Sequence, residues 1–101
     1  MDFENYVGHY VFIHNYEAME SCYYLGQVVK GNSNVGSITL EKAIKITDDE
    51  IKRFPLYINI YPWNIRIIPP TEYMEALAIY ERYKKTLTKI KNLYLKLRQK
   101  R

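Results

Sequence analysis

Residues 71–101 read TEYMEALAIYERYKKTLTKIKNLYLKLRQKR, and nowhere else does the chain combine so long a helical pattern with so sharp a separation of charge. Apolar residues fall at Tyr73, Ala76, Tyr80, Tyr83, Leu87, Ile90, Tyr94 and Leu97. Their alternating steps of three and four belong to one face of a helix. Neither Gly nor Pro interrupts the run. Thr71, behind Pro69 and Pro70, reads as an N-cap, and Glu72 and Glu75 sit where the positive end of a helix dipole favours carboxylates. At about 1.5 Å per residue such a helix spans roughly 40 Å, more than a small fold built from residues 1–70 is wide. Part of it is expected to overhang.

The charges sharpen this reading. Arg82, Lys84, Lys85, Lys89, Lys91, Lys96, Arg98, Lys100 and Arg101 place nine of the fifteen cations in the last twenty residues, while the last acid is Glu81. Residues 1–81 therefore carry −5 and the tail +9. With Tyr73 at heptad position a, Ile79 and Leu93 at g widen the apolar stripe. Arg82, Lys89 and Lys96 form a row at c, and Lys84, Lys91 and Arg98 a row at e. One face is expected to pack, the other to meet a polyanion or water. Met74 and Leu95, both at b, lie outside the stripe.

A length of 101 residues with 48% hydrophobic content fits one small domain with a modest core. A single cysteine, Cys22, rules out an internal disulfide and a Cys-rich metal cage and agrees with a reducing compartment. The first residues are acidic, no signal-like hydrophobic region follows, and no apolar run approaches a membrane span. A cytoplasmic protein without membrane contact is expected. Eleven tyrosines suit both half-buried strands and contact surfaces.

Upstream of the helix, residues 6–16 are aromatic and β-branched, with Val7, Val11 and Ile13 on one side and Tyr10, Phe12 and His14 on the other. That is a strand. Residues 17–20 read as a turn, and 22–30 as a second strand in which Gly26 signals a bulge or bend. The Gly31 to Gly36 cluster is the strongest turn signal in the chain. A third strand is expected over 35–46, with Ile38, Leu40 and either Ala43 or Ile44 facing inward. Thr47-Asp48-Asp49-Glu50 looks like an N-cap with an acidic first turn, which predicts a short helical turn over 48–54 stopped by Pro55. Short strands at 56–60 and 65–68 flank a turn at Tyr61-Pro62-Trp63-Asn64. The expected fold is α+β: a five-stranded β-barrel over 1–70, then one long C-terminal α-helix over 71–101.

Gly8-x-x-Val11-x-Ile13, Tyr24-x-Gly26-x-Val28, Ile38-x-Leu40 and Asn64-Ile65 ahead of Ile67-Ile68-Pro69 follow one another in an order that resembles the SH3-like small barrels, and among them the Sm-like family. The resemblance covers residues 8–69. It implies a barrel, and in Sm-like proteins a site for an RNA base. Where that family places an Asp and an Asn to hold the base, this chain has Asn32 and Gly36, and where it places Arg-Gly, this chain has Tyr61-Pro62. Tyr61 or Trp63 is positioned to stack on a base. The family's N-terminal helix has no counterpart in the sequence pattern.

The search for chemistry returns little. His9 and His14 are five apart, so an extended strand points them to opposite faces. Cys22 lacks a His nearby in sequence, and the acids at 48–50 lack the spacing of a calcium loop. No phosphate-cradling loop, nucleophile elbow or zinc spacing is present. Neither an enzyme nor a cofactor or metal is expected. Two functions remain. A nucleic-acid module, for RNA or DNA, would use Arg82, Lys84, Lys85, Lys89, Lys91, Lys96 and Arg98, with Tyr61, Trp63 and Arg66 on the barrel. An assembly module would use Tyr80, Tyr83, Leu87, Ile90, Tyr94 and Leu97 against another copy, giving a homo-oligomer, or against a protein partner. The plainest alternative is that the stripe lies on the protein's own barrel and the lysines are solvated.

Overall fold

The computed structural model describes residues 2–99, with side chains to Leu97; the Arg98 side chain and Lys100 and Arg101 lie outside the described residues. A 3₁₀ turn η1 (Phe3–Tyr6) precedes strands β1 (Tyr10–Glu17), β2 (Glu20–Asn32), β3 (Ser37–Ile46), β4 (Ile51–Arg53), β5 (Ile58–Ile60) and β6 (Asn64–Ile68), and helix α1 (Pro70–Gln99) ends the chain. All six strands join one antiparallel sheet in the order β4-β3-β2-β1-β6, with β5 also on β3. The fold is α+β. The sheet has six strands rather than five, and it does not close, since no pairing joins β5 to β6 among the described residues.

The added strand replaces the expected helical turn over 48–54. Thr47 and Glu50 exchange backbone and side-chain hydrogen bonds, Thr47 N to Glu50 O at 3.0 Å and Glu50 N to Thr47 Oγ1 at 3.2 Å. The hydroxyl expected to cap a helix instead closes a tight hairpin turn, and Ile51, Lys52 and Arg53 pair with Ile46, Lys45 and Ile44. Phe54 still donates its N–H to Ala43 O at 2.9 Å, after which residues 54–57 loop away before β5 resumes the pairing along β3. The other corrections are at element ends. The first strand starts at Tyr10, and the residues before it form η1. Pro70 opens α1, so Thr71 lies within the first turn and is no cap; a proline is well suited to a position whose N–H would have no helical partner.

Chain connectivity forces the sheet to curl. Between β5 and β6 the sheet order interposes β3, β2 and β1, so in a flat sheet they would stand about 19 Å apart at ~4.8 Å per strand. Residues 61–63 bridge at most about 14 Å. The curl creates an inner face on which Val11, Ile13, Cys22, Tyr24, Val28 and Ile38 are almost wholly buried against one another. Phe3 and Tyr6 of η1 pack on this cluster. Gly31 makes that possible: a Cβ there would sit 2.1 Å from the Phe3 carbonyl oxygen.

The opposite face carries a second cluster of Leu25, Ile44, Ile68 and Tyr73, flanked by Tyr10, Ala76 and Leu77. Here α1 docks. A bulge in β3 sets the boundary, because Lys42 adopts φ 56° and throws Ala43 to the inner cluster and Ile44 to the helix side. Gly26 faces that bulge, and a Cβ on it would meet Glu41 O at 3.0 Å. The bulge turns the Lys42 carbonyl toward α1, where the Tyr73 hydroxyl donates to it at 2.7 Å while the ring packs, tilted by 32°, against Tyr10 at 4.8 Å. Burial raises the pKa of that hydroxyl. Arg53 and Glu81 pair at 3.7 Å as the helix reaches the β4 edge. Beyond Tyr83 every described helical side chain is exposed. The molecule measures 60 × 30 × 19 Å, and its radius of gyration, 16.6 Å, exceeds the roughly 13 Å of a compact chain of this length.

Candidate nucleic-acid interface

Two surfaces contain the residues expected to act. On α1, Arg82, Lys84, Lys85, Lys89, Lys91 and Lys96 are all exposed, and no ion pair among the described residues engages any of them. The c and e rows flank the apolar stripe on either side. Leu87, Ile90, Tyr94 and Leu97 of the stripe are exposed too, at 37, 58, 60 and 60%. Tyr80 and Tyr83 are half-buried. Tyr80 and Lys84 border an open groove against residues 54–57, where Leu56 and Tyr57 face solvent.

The second surface lies on the sheet, on the same face as the helix seat and beside it. The side chains of β1 alternate, so Tyr10, Phe12, His14 and Tyr16 share the face opposite Val11 and Ile13. Register then places Tyr23 of β2 directly across from His14. The His14 ring stacks on Tyr23 at 4.9 Å and 19°, and meets Trp63 edge-on at 5.2 Å. Trp63 contacts Tyr16 at 4.8 Å, Tyr23 stacks on Phe12 at 5.4 Å, and the Arg66 guanidinium lies 5.0 Å from the centre of the Phe12 ring. His14 Nε2 and Ser21 Oγ are 3.3 Å apart. A shallow pocket of about 170 Å³ lies among Phe12, His14, Tyr23, Asn64 and Arg66. Trp63 and Tyr16 remain 65 and 54% exposed, so the rings fix one another without covering one another.

Of the residues ahead of the helix expected at a binding surface, Trp63 and Arg66 come together here. Tyr61 is exposed but has no ring contact with them among the described residues. His14, read from the sequence only as a histidine on a strand, is the hub, and Tyr16, Tyr23 and Phe12 complete the cluster. The alternation in β1 held the signal for three of these four. Tyr23 required the strand register.

A third group is structural chemistry at the far end of the β1–β2 hairpin. The Glu17 carboxylate accepts hydrogen bonds from Tyr24 OH, Cys22 Sγ and Lys45 Nζ, the last two at 3.2 Å. Burial alone would raise its pKa, but these three donors outweigh that and lower it. Burial, with the carboxylate beside it, pushes the Cys22 thiol up to about 11, so it stays protonated and unreactive at neutral pH. Tyr24 is displaced upward for the same two reasons. Among the described residues no group of three or more His, Cys, Asp or Glu side chains is placed to hold a metal ion, and no helix is long and apolar enough to cross a membrane.

No protein-family model matches the chain, and no curated protein or solved structure does so either.

Proposed function

We propose that this protein is a non-enzymatic nucleic-acid-binding module in which α1 supplies the phosphate contacts. The carrying observation is that six cations, five of them in the two rows and Lys85 beside them, stand along a projecting helix without an ion-pair partner among the described residues. A polyanion neutralises such rows and releases their counterions. The curled sheet supports reading the body as a small SH3-like barrel, open between β5 and β6, with Trp63 and Arg66 on its outer surface. With about five cations on phosphates, the log-log dependence of affinity on salt should have a slope of about −3.5 for a single strand and −4.5 for a duplex. Replacing Lys84, Lys89, Lys91 and Lys96 together by Gln should abolish binding and flatten the slope, as read by fluorescence anisotropy. A quadruple variant that binds like the wild type excludes the helix as the contact surface.

A second reading, an assembly module, is favoured by one specific observation: Leu87, Ile90, Leu93, Tyr94 and Leu97 form a continuous apolar stripe that the sheet does not reach. Exposed stripes of this length mark partner surfaces. The partner is then a second copy or another protein. If a second copy pairs through the stripe, Leu87→Asp with Ile90→Asp yields a monomer by sedimentation that keeps its fold by circular dichroism. A mass that does not change excludes self-pairing by this face.

A further inference from the structure

We infer that the aromatic face formed by Phe12, His14, Tyr16, Tyr23, Trp63 and Arg66 is a stacking site for unpaired bases, so that the nucleic acid bound is single-stranded. This rests on the nucleic-acid reading above and adds to it the part of the ligand that the cations of the helix do not read. The helix offers cations beside a mostly aliphatic exposed stripe whose one largely exposed ring among the described residues is Tyr94, so it engages chiefly phosphate. The sheet face offers the reverse: five rings and a guanidinium with no ion-pair partner among the described residues, anchored where Phe12 packs on the Leu25 and Ile68 cluster.

Three features distinguish this cluster from a minor core. A core buries its rings, yet Trp63 and Tyr16 keep more than half of their surface in water although each touches a neighbouring ring. The rings are also held in place before any ligand arrives. His14 is fixed between Tyr23 and Trp63, and Tyr23 between His14 and Phe12, so a base that stacks here costs little side-chain ordering. Finally, Arg66 lies over Phe12 with no carboxylate partner among the described residues, at the margin of the 170 Å³ pocket that Asn64 also lines. A guanidinium beside exposed π-faces can bind the phosphate of the nucleotide whose base is stacked, and Asn64 adds a donor and an acceptor for a base edge. Bases in a duplex are already stacked on their neighbours and cannot reach such a face. An aromatic and arginine surface also suits a protein partner. The cations that the same chain carries on α1, without ion-pair partners among the described residues, favour the nucleic acid.

Trp63 is the only tryptophan in the chain, so its emission reports on this face alone. The test titrates the full chain with oligothymidylate of about 12 nucleotides, within the site size of one small fold, and separately with inorganic polyphosphate as a polyanion without bases. Quenching of Trp63 by the oligonucleotide but not by polyphosphate is expected. Trp63→Ala should weaken oligothymidylate binding by about 5- to 150-fold, the range for loss of one base stack, with Trp63→Phe retaining most of the affinity. Tyr16→Ala, which keeps the reporter, should weaken it similarly, and circular dichroism confirms that each variant is folded. If the oligonucleotide binds with unchanged Trp63 emission and the Ala variants bind it as the wild type does, the stacking site is overturned while the helix reading stands. If a duplex quenches as well as the single strand, single-strand selection is overturned. If neither polyanion binds, both readings fall, and quenching by an added protein would assign the face to a protein partner.

Discussion

The two halves of α1 carry the same alternation of apolar residues and meet opposite fates. In the first half, Tyr73 is 2% exposed, packs against Tyr10 and donates to the Lys42 carbonyl, and Ala76 and Leu77 pack on the same cluster. In the second half, Ile90, at the d position that Ala76 occupies two heptads earlier, is 58% exposed. Periodicity identifies which face of a helix is apolar; it says nothing about whether the chain's own body is long enough to cover it. The first half is held by the sheet, and the second half is available to something else.

The largest expected effect tests the anchor. Tyr73→Ala should cost about 3–5 kcal/mol in urea unfolding, as for other large buried rings, whereas Ile90→Ala should cost less than about 0.5 kcal/mol. Comparable losses at the two positions would mean that the second half is packed in solution, and the contrast between the halves would disappear. Tyr73→Phe keeps the ring and removes the bond to Lys42 O, which should cost about 1 kcal/mol because a part-buried carbonyl loses its donor. Acid should act on the sheet and not on the helix overhang. The folded pKa of Glu17 lies below its ordinary value of 4.5, so its contribution is fully present above that value and is lost as pH falls through the lowered one. The urea midpoint should therefore fall as the pH drops below 4.5, and Glu17→Gln should shrink that fall. The smallest effect belongs to the point where the halves meet: a double-mutant cycle on Arg53 and Glu81, both half-exposed, should give about 0.2–1 kcal/mol.

Much of this was legible in the sequence wherever a local period met a local need. The alternation of Val11 and Ile13 against Phe12 and His14 and the seam of α1 each depend on neighbours in sequence, whereas the bulge signalled by Gly26 lies across from it, at Lys42 of β3. The misreading at residues 48–54 shows the limit. Thr47-Asp48-Asp49-Glu50 satisfies the rules for a helix start, but the same hydroxyl closes a hairpin just as well, and the choice is made by the outer edge of β3, which needs a partner for Ile44 to Ile46. The aromatic face was half visible for a similar reason. Trp63 and Arg66 stood out by composition, whereas His14 and Tyr23 become neighbours only through the pairing of β1 with β2.

The seat of α1 also bears on how the chain emerges from the ribosome. Tyr10, Leu25 and Ile44 are all synthesised before Tyr73, the residue that covers them. At about 5–20 residues per second, the first three strands can pair for seconds while one apolar face of their sheet has nothing to cover it. β6, which completes the pairing of β1, also arrives late. The nascent chain thus passes through a stage at which an apolar sheet face and one strand edge are both open, until the first turns of the thirty-residue helix have left the exit tunnel.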